Sequence, residues 1–277
     1  MAEPASLPPL RDVIARFGLR ADKRLGQNFL LDLNLTARIA RAAGPLAGHV
    51  VLEIGPGPGG LTRALLDAGA ERVIAVERDA RCVVALGELA NAYSGRLRVV
   101  EGDALQIDEA ELVGREPARI VANLPYNIAT VLLLKWLGDV RRFRSYTLMF
   151  QKEVAERLVA APGTKAYGRL SVMTQWRCEA RRLFDVPARA FTPSPKVTSS
   201  VVGLIPRETP LAPADAGTLE RVVAAAFGQR RKMLRSALRT LGDDAEARLF
   251  AAGIAPTSRA EELDVAAFCA LARAYEG

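Results

Sequence analysis

The sequence HVVLEIGPGPGG, residues 49–60, joins a strand pattern directly to a glycine-rich turn. Its first six residues are mostly branched and apolar, which predicts a buried strand, and the turn follows at residues 55–60. Glycine lets the backbone approach a ligand closely because no Cβ intervenes. In a doubly wound parallel sheet, a ligand lies at the carboxyl ends of the strands, beside such a turn. The segment therefore predicts the first strand of an α/β sheet and the sheet edge where a ligand binds.

Strand and helix patterns alternate after this segment. They predict, in chain order, helix 61–68, strand 72–77, helix 80–92, strands 97–101 and 119–123, helix 130–137, strand 146–151 and helix 152–159. Before it, residues 8–17 and 33–43 have helical spacing of apolar side chains, and residues 21–31 read as a loop. Such alternation is typical of parallel βαβ units, whose right-handed crossovers place helices on both faces of a doubly wound, Rossmann-like sheet.

The later part of the chain departs from this alternation. After a predicted helix at 168–178, residues 183–186 and 200–205 read as two late strands joined by a proline-containing loop, which suits an antiparallel edge. Prolines at 206–213 indicate a linker. Beyond it only helical patterns occur, at 215–227, 231–241, 243–252 and 260–275. We therefore expect an α/β domain over residues 1–207 and a small all-α domain over residues 208–277.

The composition excludes several classes of protein. Half of the 277 residues are apolar and a quarter are charged, as in ordinary globular proteins. The cysteines Cys82, Cys178 and Cys269 are far apart, and His49 is the one histidine, so we expect neither a disulfide framework nor a metal site. The start of the chain lacks a signal-peptide pattern, and no apolar stretch approaches the length of a membrane span. We expect a cytoplasmic protein without membrane contact.

The charge pattern suits a polyanionic partner. The formal net charge is +7, from 38 basic and 31 acidic residues. Residues 221–240 contain six basic residues and no acidic one, whereas a solvated helix face usually offers acidic partners at i,i+4. The candidate phosphate contacts in this segment are Arg221, Arg230, Arg231, Lys232 and Arg235. A second basic cluster, at residues 141–144, is equally compatible with phosphate contact and with solvation.

The glycine turn is compatible with two cofactor classes. Its glycines at 55, 57 and 60 satisfy G-x-G-x-x-G, the pattern of dinucleotide oxidoreductases. Pyrophosphate binding uses backbone N–H groups at this turn, and Pro56 and Pro58 have none to donate. Glu53 also precedes the turn and gives E-x-G-x-G-x-G. That arrangement resembles the first motif of class I S-adenosylmethionine methyltransferases, in which an acidic group near the turn faces the cationic methionine part of the cofactor.

Three carboxylates follow or end successive predicted strands. Besides Glu53, Glu77 ends the second strand and Asp103 follows the third. A carboxylate at the place of Glu77 accepts hydrogen bonds from ribose hydroxyls in both cofactor classes. Asp103 matches the methyltransferase residue that holds the adenine amine. Each acid alone would read as a solvated loop residue, but three at successive strand ends predict a site for an adenosyl ligand.

The fourth strand of the pattern ends in a catalytic motif. Asn123, Leu124, Pro125 and Tyr126 match the (Asn/Asp)-Pro-Pro-Tyr type motif of amino methyltransferases. Further motifs accompany it: LGQNFL (25–30), FQKEVAERL (150–158), YGRLSV (167–172), FTPSPKVTSSVV (191–202) and FGQRRKMLRSAL (227–238). Together they resemble the ribosomal RNA adenine N6,N6-dimethyltransferase family, from about residue 11 to about residue 275. Within that family the chain is most similar to the bacterial small-subunit members, and no motif position departs from the pattern.

This resemblance implies a fold, a cofactor and a substrate. The fold is a class I methyltransferase sheet followed by a small all-α C-terminal domain that contacts RNA, and the cofactor is S-adenosylmethionine. The substrate is a pair of adjacent adenosines in a 3′-terminal loop of small-subunit rRNA, within the immature small ribosomal subunit. We expect a monomer. The cofactor-binding residues implied are Asn28, Leu30, Glu53, Gly55, Gly57, Glu77, Asp103 and Asn123.

The catalytic motif has a chemical interpretation. The adenine amine is a poor nucleophile because its lone pair is delocalised into the ring. If the Asn123 side-chain oxygen and the Leu124 carbonyl accept its hydrogens, the lone pair can point at a methyl group. Pro125 fixes φ and holds that carbonyl in place, while Tyr126 offers a ring for stacking an extruded base. Phe191 supplies the other stacking face, as the family resemblance implies.

Several alternatives remain open from the sequence. A large-subunit rRNA dimethyltransferase, of the kind that confers macrolide resistance, shares NLPY and the glycine turn. DNA adenine methyltransferases usually carry a base-reading domain for which this chain lacks room. An NAD(P) oxidoreductase is disfavoured by the two prolines of the turn and by NLPY. From another class, a ribosome assembly factor with little activity is disfavoured by the intact motif residues.

Overall fold

The computed structural model describes residues 7–276, which form two compact units. The first unit holds the described residues up to Ala155 and the segment Arg181–Ile205, and the second holds Glu156–Ala180 and the described residues from Pro206 onward. The units differ from the two expected domains in their bounds, since residues 156–180 group with the helical tail. The methyltransferase role given to residues 1–207 and the RNA-contacting role given to residues 208–277 stay predictions.

The main sheet is mostly parallel and has an antiparallel edge. The strands in chain order are β1 (Phe29–Leu30), β2 (Val50–Ile54), β3 (Arg72–Glu77), β4 (Leu97–Glu101), β5 (Ala118–Asn123), β6 (Tyr146–Gln151), β7 (Cys178–Val186), β8 (Phe191–Thr192) and β9 (Ser199–Pro206). Within residues 7–276 seven of them form one sheet in the order β4-β3-β2-β5-β6-β9-β7. The pairs from β4 to β6 are parallel, and β9 runs antiparallel to β6. The predicted α/β fold class, with its antiparallel edge, is confirmed.

Helices connect these strands and make up most of the second unit. In chain order they are α1 (Leu10–Arg16), α2 (Leu33–Ala42), α3 (Gly60–Asp67), α4 (Ala80–Ala92), α5 (Glu109–Val113), α6 (Ala129–Gly138), α7 (Lys152–Val159), α8 (Arg169–Arg177), α9 (Ala216–Gly228), α10 (Leu234–Ala237), α11 (Ala245–Ala251) and α12 (Val265–Ala274). None of the helices in residues 7–276 has the length and apolar character that crossing a bilayer requires.

Aspartates begin several helices of the first unit. The side chains of Asp32, Asp79 and Asp108 accept backbone N–H groups in the first turns of α2, α4 and α5, as capping residues do. Behind these caps, apolar side chains of the helices and strands share one buried cluster that includes Leu65 and Val73. Burying each such side chain contributes about 1.5–3 kcal/mol, which holds the helices against the sheet.

The second unit has its own apolar core. Residues of α9 and α12 dominate it, with Leu219 and Phe268 fully buried, and the rings of Phe227 and Phe268 lie 5.5 Å apart. The expected all-α character of the tail is confirmed, but one expected helix is not. Residues 231–241 do not form a continuous helix, because a turn closed by the 2.8 Å bond from Lys232 N to Gln229 O precedes α10.

Two short elements of the first unit were not predicted: β1 lies where a loop was expected, and α5 lies where no element was predicted. β1 lies inside the segment 21–31, and it pairs antiparallel with β8, so that Leu30 faces Phe191. A two-residue strand has no periodic signal of its own, and pairing with a distant segment creates it. The five-residue helix α5 also lacks a pattern long enough to recognise, and its cap at Asp108 starts it.

Candidate active site

An open cavity lies where β2, β3 and β5 end, and its empty space, together with the adjoining solvent, measures about 1050 Å³. Most of the sequence-predicted site residues line it: Asn28, Leu30, Glu53, Gly55, Gly57, Glu77, Asp103, Asn123, Leu124, Pro125 and Tyr126. Phe191 is not among the lining residues. It is only 3 % exposed and belongs to the core cluster. The fold therefore brings the predicted cofactor residues and the NLPY motif to one cavity. The ring of Phe191, predicted as the second stacking face, lies in the core and outside the cavity lining.

The glycine turn lies tightly against its neighbours. Gly55 and Gly57 have φ of +68° and +56°, values that glycine adopts readily and other residues rarely do. A Cβ at Gly57 would lie 3.0 Å from the ring of Phe29, and one at Gly55 would lie 3.4 Å from the ring of Pro125. A side chain at either position would be strained by the positive φ, and one at Gly57 would also press on the ring of Phe29.

Glu53 is a buried acid at the end of β2. Its side chain is almost fully enclosed, and its Oε2 accepts a 2.7 Å hydrogen bond from Thr62 Oγ1 on α3. Burial raises the pKa of Glu53 to about 8, and the nearby Glu77 carboxylate adds to the rise. A cation in the cavity would favour the ionised form of this acid, which suits the positively charged sulfonium and ammonium of S-adenosylmethionine.

Backbone donors orient the carboxylate of Glu77. Its Oε1 accepts from the amides of Arg78 and Asp79, both at 2.8 Å, and its Oε2 accepts from the amide of Gly57 at 3.0 Å. Burial raises its pKa although these hydrogen bonds oppose the rise. An ionised carboxylate offers about four acceptor sites, so one remains for a hydroxyl of a ligand.

Asp103 lies beyond the end of β4 and is also held in place. Its Oδ1 accepts the amide of Leu105 at 3.0 Å, and its Oδ2 lies 3.2 Å from a guanidinium nitrogen of Arg78. Arg78 lines the cavity too, although sequence reasoning gave it no role. Its pairing with an acid from the neighbouring strand end has no signal in the sequence.

The NLPY motif forms the turn from β5 into α6. Asn123 donates from Nδ2 to the backbone oxygen of Asn28 at 3.2 Å, so the amide oxygen is the group left to accept a hydrogen bond. The carbonyl of Pro125 accepts from the amides of Ile128 and Ala129 at 3.1 and 3.0 Å, which starts α6. The motif thus presents an oriented amide on a backbone fixed by a proline and by the first turn of a helix.

Tyr126 is anchored at its hydroxyl. The phenol oxygen lies 2.6 Å from Oγ of Ser199, the first residue of β9. Burial raises the pKa of this tyrosine, so its hydroxyl stays protonated at neutral pH. Sequence reasoning missed Ser199, and the available signal was its place in the FTPSPKVTSSVV motif.

The LGQNFL segment, residues 25–30, forms part of the cavity lining. Gln27 accepts the amide of Asp22 at Oε1 (2.9 Å) and donates from Nε2 to Asp79 Oδ2 at the start of α4 (3.0 Å). The Asn28 side chain donates to the carbonyl of Gly26 at 3.3 Å. Gln27 was not predicted as a site residue, because its partner is 52 residues away in the sequence.

The predicted RNA-contacting residues lie in the second unit. Arg221, Arg231, Lys232 and Arg235 are exposed. Arg230 is half-buried; it donates to the carbonyl of Thr164 at 3.2 Å and lies 3.8 Å from Glu261. A guanidinium nitrogen of Arg235 lies 3.8 Å from Glu246. Residues 221–240 contain no acidic residue, but Glu261 and Glu246, from other segments, lie near Arg230 and Arg235. These two arginines are therefore partly neutralised.

A family model described as Ribosomal RNA adenine dimethylase matches residues 18–276. The chain belongs to this family. Two curated relatives of the dimethylase, both named Ribosomal RNA small subunit methyltransferase A, are similar over almost the whole chain. The protein of Paramagnetospirillum magneticum is 65 % identical over 98 % of this chain and 96 % of its own length. That of Rhodospirillum rubrum is 64 % identical over 98 % and 93 %.

Solved structures agree with this membership. A dimethyladenosine transferase from Plasmodium falciparum has a TM-score of 0.71 and 27 % identity, covering 87 % of this chain and 94 % of its own. The 23S rRNA methyltransferase ErmE has a TM-score of 0.68 and 28 % identity, covering 90 % and 100 %. The protein is an S-adenosylmethionine-dependent rRNA adenine dimethyltransferase, and the oxidoreductase and DNA methyltransferase alternatives are excluded. Because ErmE shares the fold, the fold alone does not distinguish the two ribosomal subunits.

Proposed function

We propose that the dimethylase acts on two adjacent adenosines in a 3′-terminal loop of small-subunit (16S) rRNA and converts each to N6,N6-dimethyladenosine. The names of the relatives at 65 % and 64 % identity support the small subunit, whereas the 23S enzyme ErmE is only 28 % identical. Bases in a loop suit protein recognition, since side chains cannot read the narrow major groove of A-form RNA. The proposed substrate is the immature small subunit, so methylation would accompany its maturation.

The observation that carries the chemistry is the orientation of Asn123. Its amide nitrogen is used by the Asn28 carbonyl, so its oxygen can accept a hydrogen of the target amine. The Leu124 carbonyl accepts the other hydrogen, and Pro125 holds that carbonyl through its fixed φ. With both hydrogens held in the first transfer, the nitrogen becomes more pyramidal and its lone pair is freed from the ring. The nitrogen loses one proton to solvent as it gains the methyl group, so one hydrogen remains for one of these acceptors to hold in the second transfer. S-adenosylmethionine supplies an activated methyl group when bound, so positioning and polar preorganisation are the main work of the protein.

The cavity residues divide the cofactor between them in this proposal. Glu53 faces the cationic methionine part, which Asn28 and Leu30 cover. The remaining acceptor site of Glu77 takes a ribose hydroxyl, and Asp103 takes the adenine amine. Gly55 and Gly57 allow the turn to approach the cofactor closely, because no Cβ fills the space. The buried carboxylates, the cation-compatible acid and the open turn together fit S-adenosylmethionine.

On the RNA side, the ring of Tyr126 stacks the extruded adenine. The second stacking face predicted at Phe191 requires that ring to leave the core cluster when the base binds, because it is only 3 % exposed. The basic group of the second unit, Arg221, Arg230, Arg231, Lys232 and Arg235, contacts RNA phosphates. We further propose that the protein works as a monomer in the cytoplasm, where its ribosomal substrate is assembled.

The substrate is tested by methyl transfer from radiolabelled S-adenosylmethionine. The acceptors are immature small subunits that lack the modification, naked large-subunit rRNA and duplex DNA, each digested to nucleosides after reaction. We expect label in N6,N6-dimethyladenosine from the small subunit alone. Label in large-subunit rRNA at a similar rate would overturn the proposed specificity without touching the family assignment.

The catalytic role of Asn123 is tested by Asn123→Ala. Removing one preorganised hydrogen-bonding group from an active site costs about 100- to 1000-fold in kcat, and we expect a loss of that order. The matched control is Asn91→Ala, an exposed asparagine on α4 outside the cavity, which should keep its activity. An Asn123→Ala protein that folds, binds cofactor and turns over at a near-normal rate would remove Asn123 from the mechanism.

A further inference from the structure

Ser199 comes from a motif to which the proposed chemistry gives no role beyond Phe191. It is the first residue of β9 and it is fully buried. β9 runs antiparallel to β6, and Ser199 pairs with Gln151 at the carboxyl end of β6. β6 is in turn parallel to β5, with Met149 opposite Asn123. The antiparallel edge therefore brings the beginning of β9 to the same end of the sheet as the NLPY motif.

At that end, the Ser199 hydroxyl meets the hydroxyl of Tyr126 at 2.6 Å. The two residues are 73 positions apart in the sequence, so the contact depends on the fold alone. A tyrosine ring has two side-chain torsions, and it swings freely when only its Cα end is fixed. A hydrogen bond at the phenol end fixes the second point, which sets the direction of the long axis of the ring beside the cavity that it lines. The preference of a phenol hydroxyl to lie in the ring plane then favours one orientation of the ring face.

The segment around Ser199 is itself firmly attached. The carbonyl of Thr198 accepts the amide of Lys152 at 2.9 Å. The next hydroxyl along the strand, that of Ser200, lies on the opposite face of the sheet and donates to Asp185 Oδ1 at 2.7 Å, so it takes no part in this attachment. The hydroxyl of Ser199, on a main chain held by its pairing with β6, is a rigid anchor for its partner.

From this geometry we infer that Ser199 is a positioning residue of methyl transfer, which fixes the ring of Tyr126 so that the stacked adenine presents N6 to Asn123 and Leu124. The inference rests on the proposed stacking role of Tyr126. Its effect is on the orientation of the base, because Ser199 is not among the residues that line the cofactor cavity. Loss of the hydroxyl should therefore reduce kcat and leave the affinity for the cofactor unchanged.

The test compares Ser199→Ala, Tyr126→Phe and the double variant on immature small subunits at saturating cofactor. Each single change removes the same hydrogen bond and should lower kcat about 10-fold, the rate effect of one hydrogen bond of ordinary strength. Because both changes remove one shared interaction, the double variant should be no slower than either single variant. Ser199→Thr keeps a hydroxyl and should recover most of the rate. The Kd for S-adenosylmethionine, measured by calorimetry, should stay within about twofold throughout, since a 0.4 kcal/mol change is twofold.

The matched control is Ser200→Ala, which removes the neighbouring buried hydroxyl from the same strand. It should lower the Tm, through loss of the bond to Asp185, while kcat stays near the unmodified value. Equal losses of kcat in Ser199→Ala and Ser200→Ala, or multiplying effects in the double variant, would overturn the inference. Tyr126→Ala tests the underlying proposal separately: if removing the whole ring leaves kcat intact, stacking by Tyr126 fails, whereas a large loss there with no loss in Ser199→Ala defeats only the role of Ser199.

Discussion

Glu53 combines two properties that rarely occur together in a carboxyl group. It is buried, with a pKa raised to about 8 mainly by desolvation, and it lines the cavity proposed to hold a cationic cofactor. Without the cofactor, its neutral form is the stable one at pH 7. Ionising it costs folding free energy, so its contribution to stability is present below its ordinary pKa of 4.5 and is lost as pH rises through about 8.

This carboxyl predicts the pH dependence of cofactor binding. If the ionised form faces the methionine cation, binding releases the proton of Glu53, and affinity should rise about tenfold per pH unit below pH 8 and level off above it. Calorimetry of S-adenosylmethionine binding between pH 6 and 9 measures this slope. Glu77 is a second buried acid in the cavity, so Glu53→Gln is the control, and it should flatten the slope. A slope that survives in Glu53→Gln would assign the proton to another group.

Single residues differ in how far sequence could predict them. The three acids were identified because strand ends of a parallel sheet meet at one edge, which makes chain order sufficient to place them. The partners that orient them are another matter. Thr62 and Arg78 reach Glu53 and Asp103 through tertiary packing, and neither spacing nor residue type distinguishes them from ordinary surface or core positions.

At the scale of elements, the LGQNFL segment depends on a latch to α4. Gln27 joins the turn at Asp22 to the capping carboxylate of Asp79. The main cause that lowers the pKa of Asp79, to about 2, is its hydrogen bonding with the Arg81 side chain. The carboxylate is therefore ionised at neutral pH. The latch holds the segment of Asn28 at the cavity that Glu77 also lines, so it couples two segments of the proposed cofactor site.

A charge exchange tests this latch. Gln27→Glu keeps the acceptor for the Asp22 amide but sets two carboxylates against each other. Losing a hydrogen bond to a charged group costs about 1.5–3 kcal/mol, so we expect the affinity for S-adenosylmethionine to fall about tenfold or more. Adding Asp79→Asn restores a donor–acceptor pair with position 27 and keeps a good helix cap, but it weakens the pairing with Arg81 at 2.6 Å, so the double variant should recover part of the lost affinity. A double variant that binds as weakly as Gln27→Glu would show that the segment is held by other contacts.

Helices and strands long enough to carry their own hydrophobic pattern were predicted well. Elements that form only by contact with a distant segment were not. Apart from the short helix α5, the strands and helices between residues 49 and 159 follow patterns of hydrophobic spacing that each segment carries alone. β1 exists because it pairs with β8, and the expected helix at 231–241 is interrupted by the turn before Leu234, whose amide donates to the carbonyl of Ser258. Local pattern contains no information about such partners.

For the whole molecule, the sequence predicted a two-part chain but not which residues group together. The proline-containing segment after residue 206 marks one passage into the helical tail. The other boundary at which the chain enters the second unit, between residues 155 and 156, falls within α7. No change in composition marks it in the sequence. Residues 156–180 join the tail because side chains such as Trp176 and Tyr167 belong to its core cluster. Packing across distant segments, rather than any boundary motif, sets the compact units.

From the net positive charge of the molecule we predict how its affinity for RNA depends on salt concentration. Neutralising RNA phosphates releases counterions, so log K for RNA should fall linearly with log salt concentration, by about 0.7–0.9 in slope for each phosphate contacted. The double variant Arg231→Ala with Lys232→Ala should weaken RNA binding. If both residues contact phosphates, it should also reduce the magnitude of that slope by about 1.4–1.8. The control is Arg98→Ala with Arg115→Ala, two exposed residues of the first unit that change the net charge equally. If the affinity of both doubles changes equally, net charge rather than local contact governs binding; an affinity indifferent to salt would argue against phosphate contact altogether.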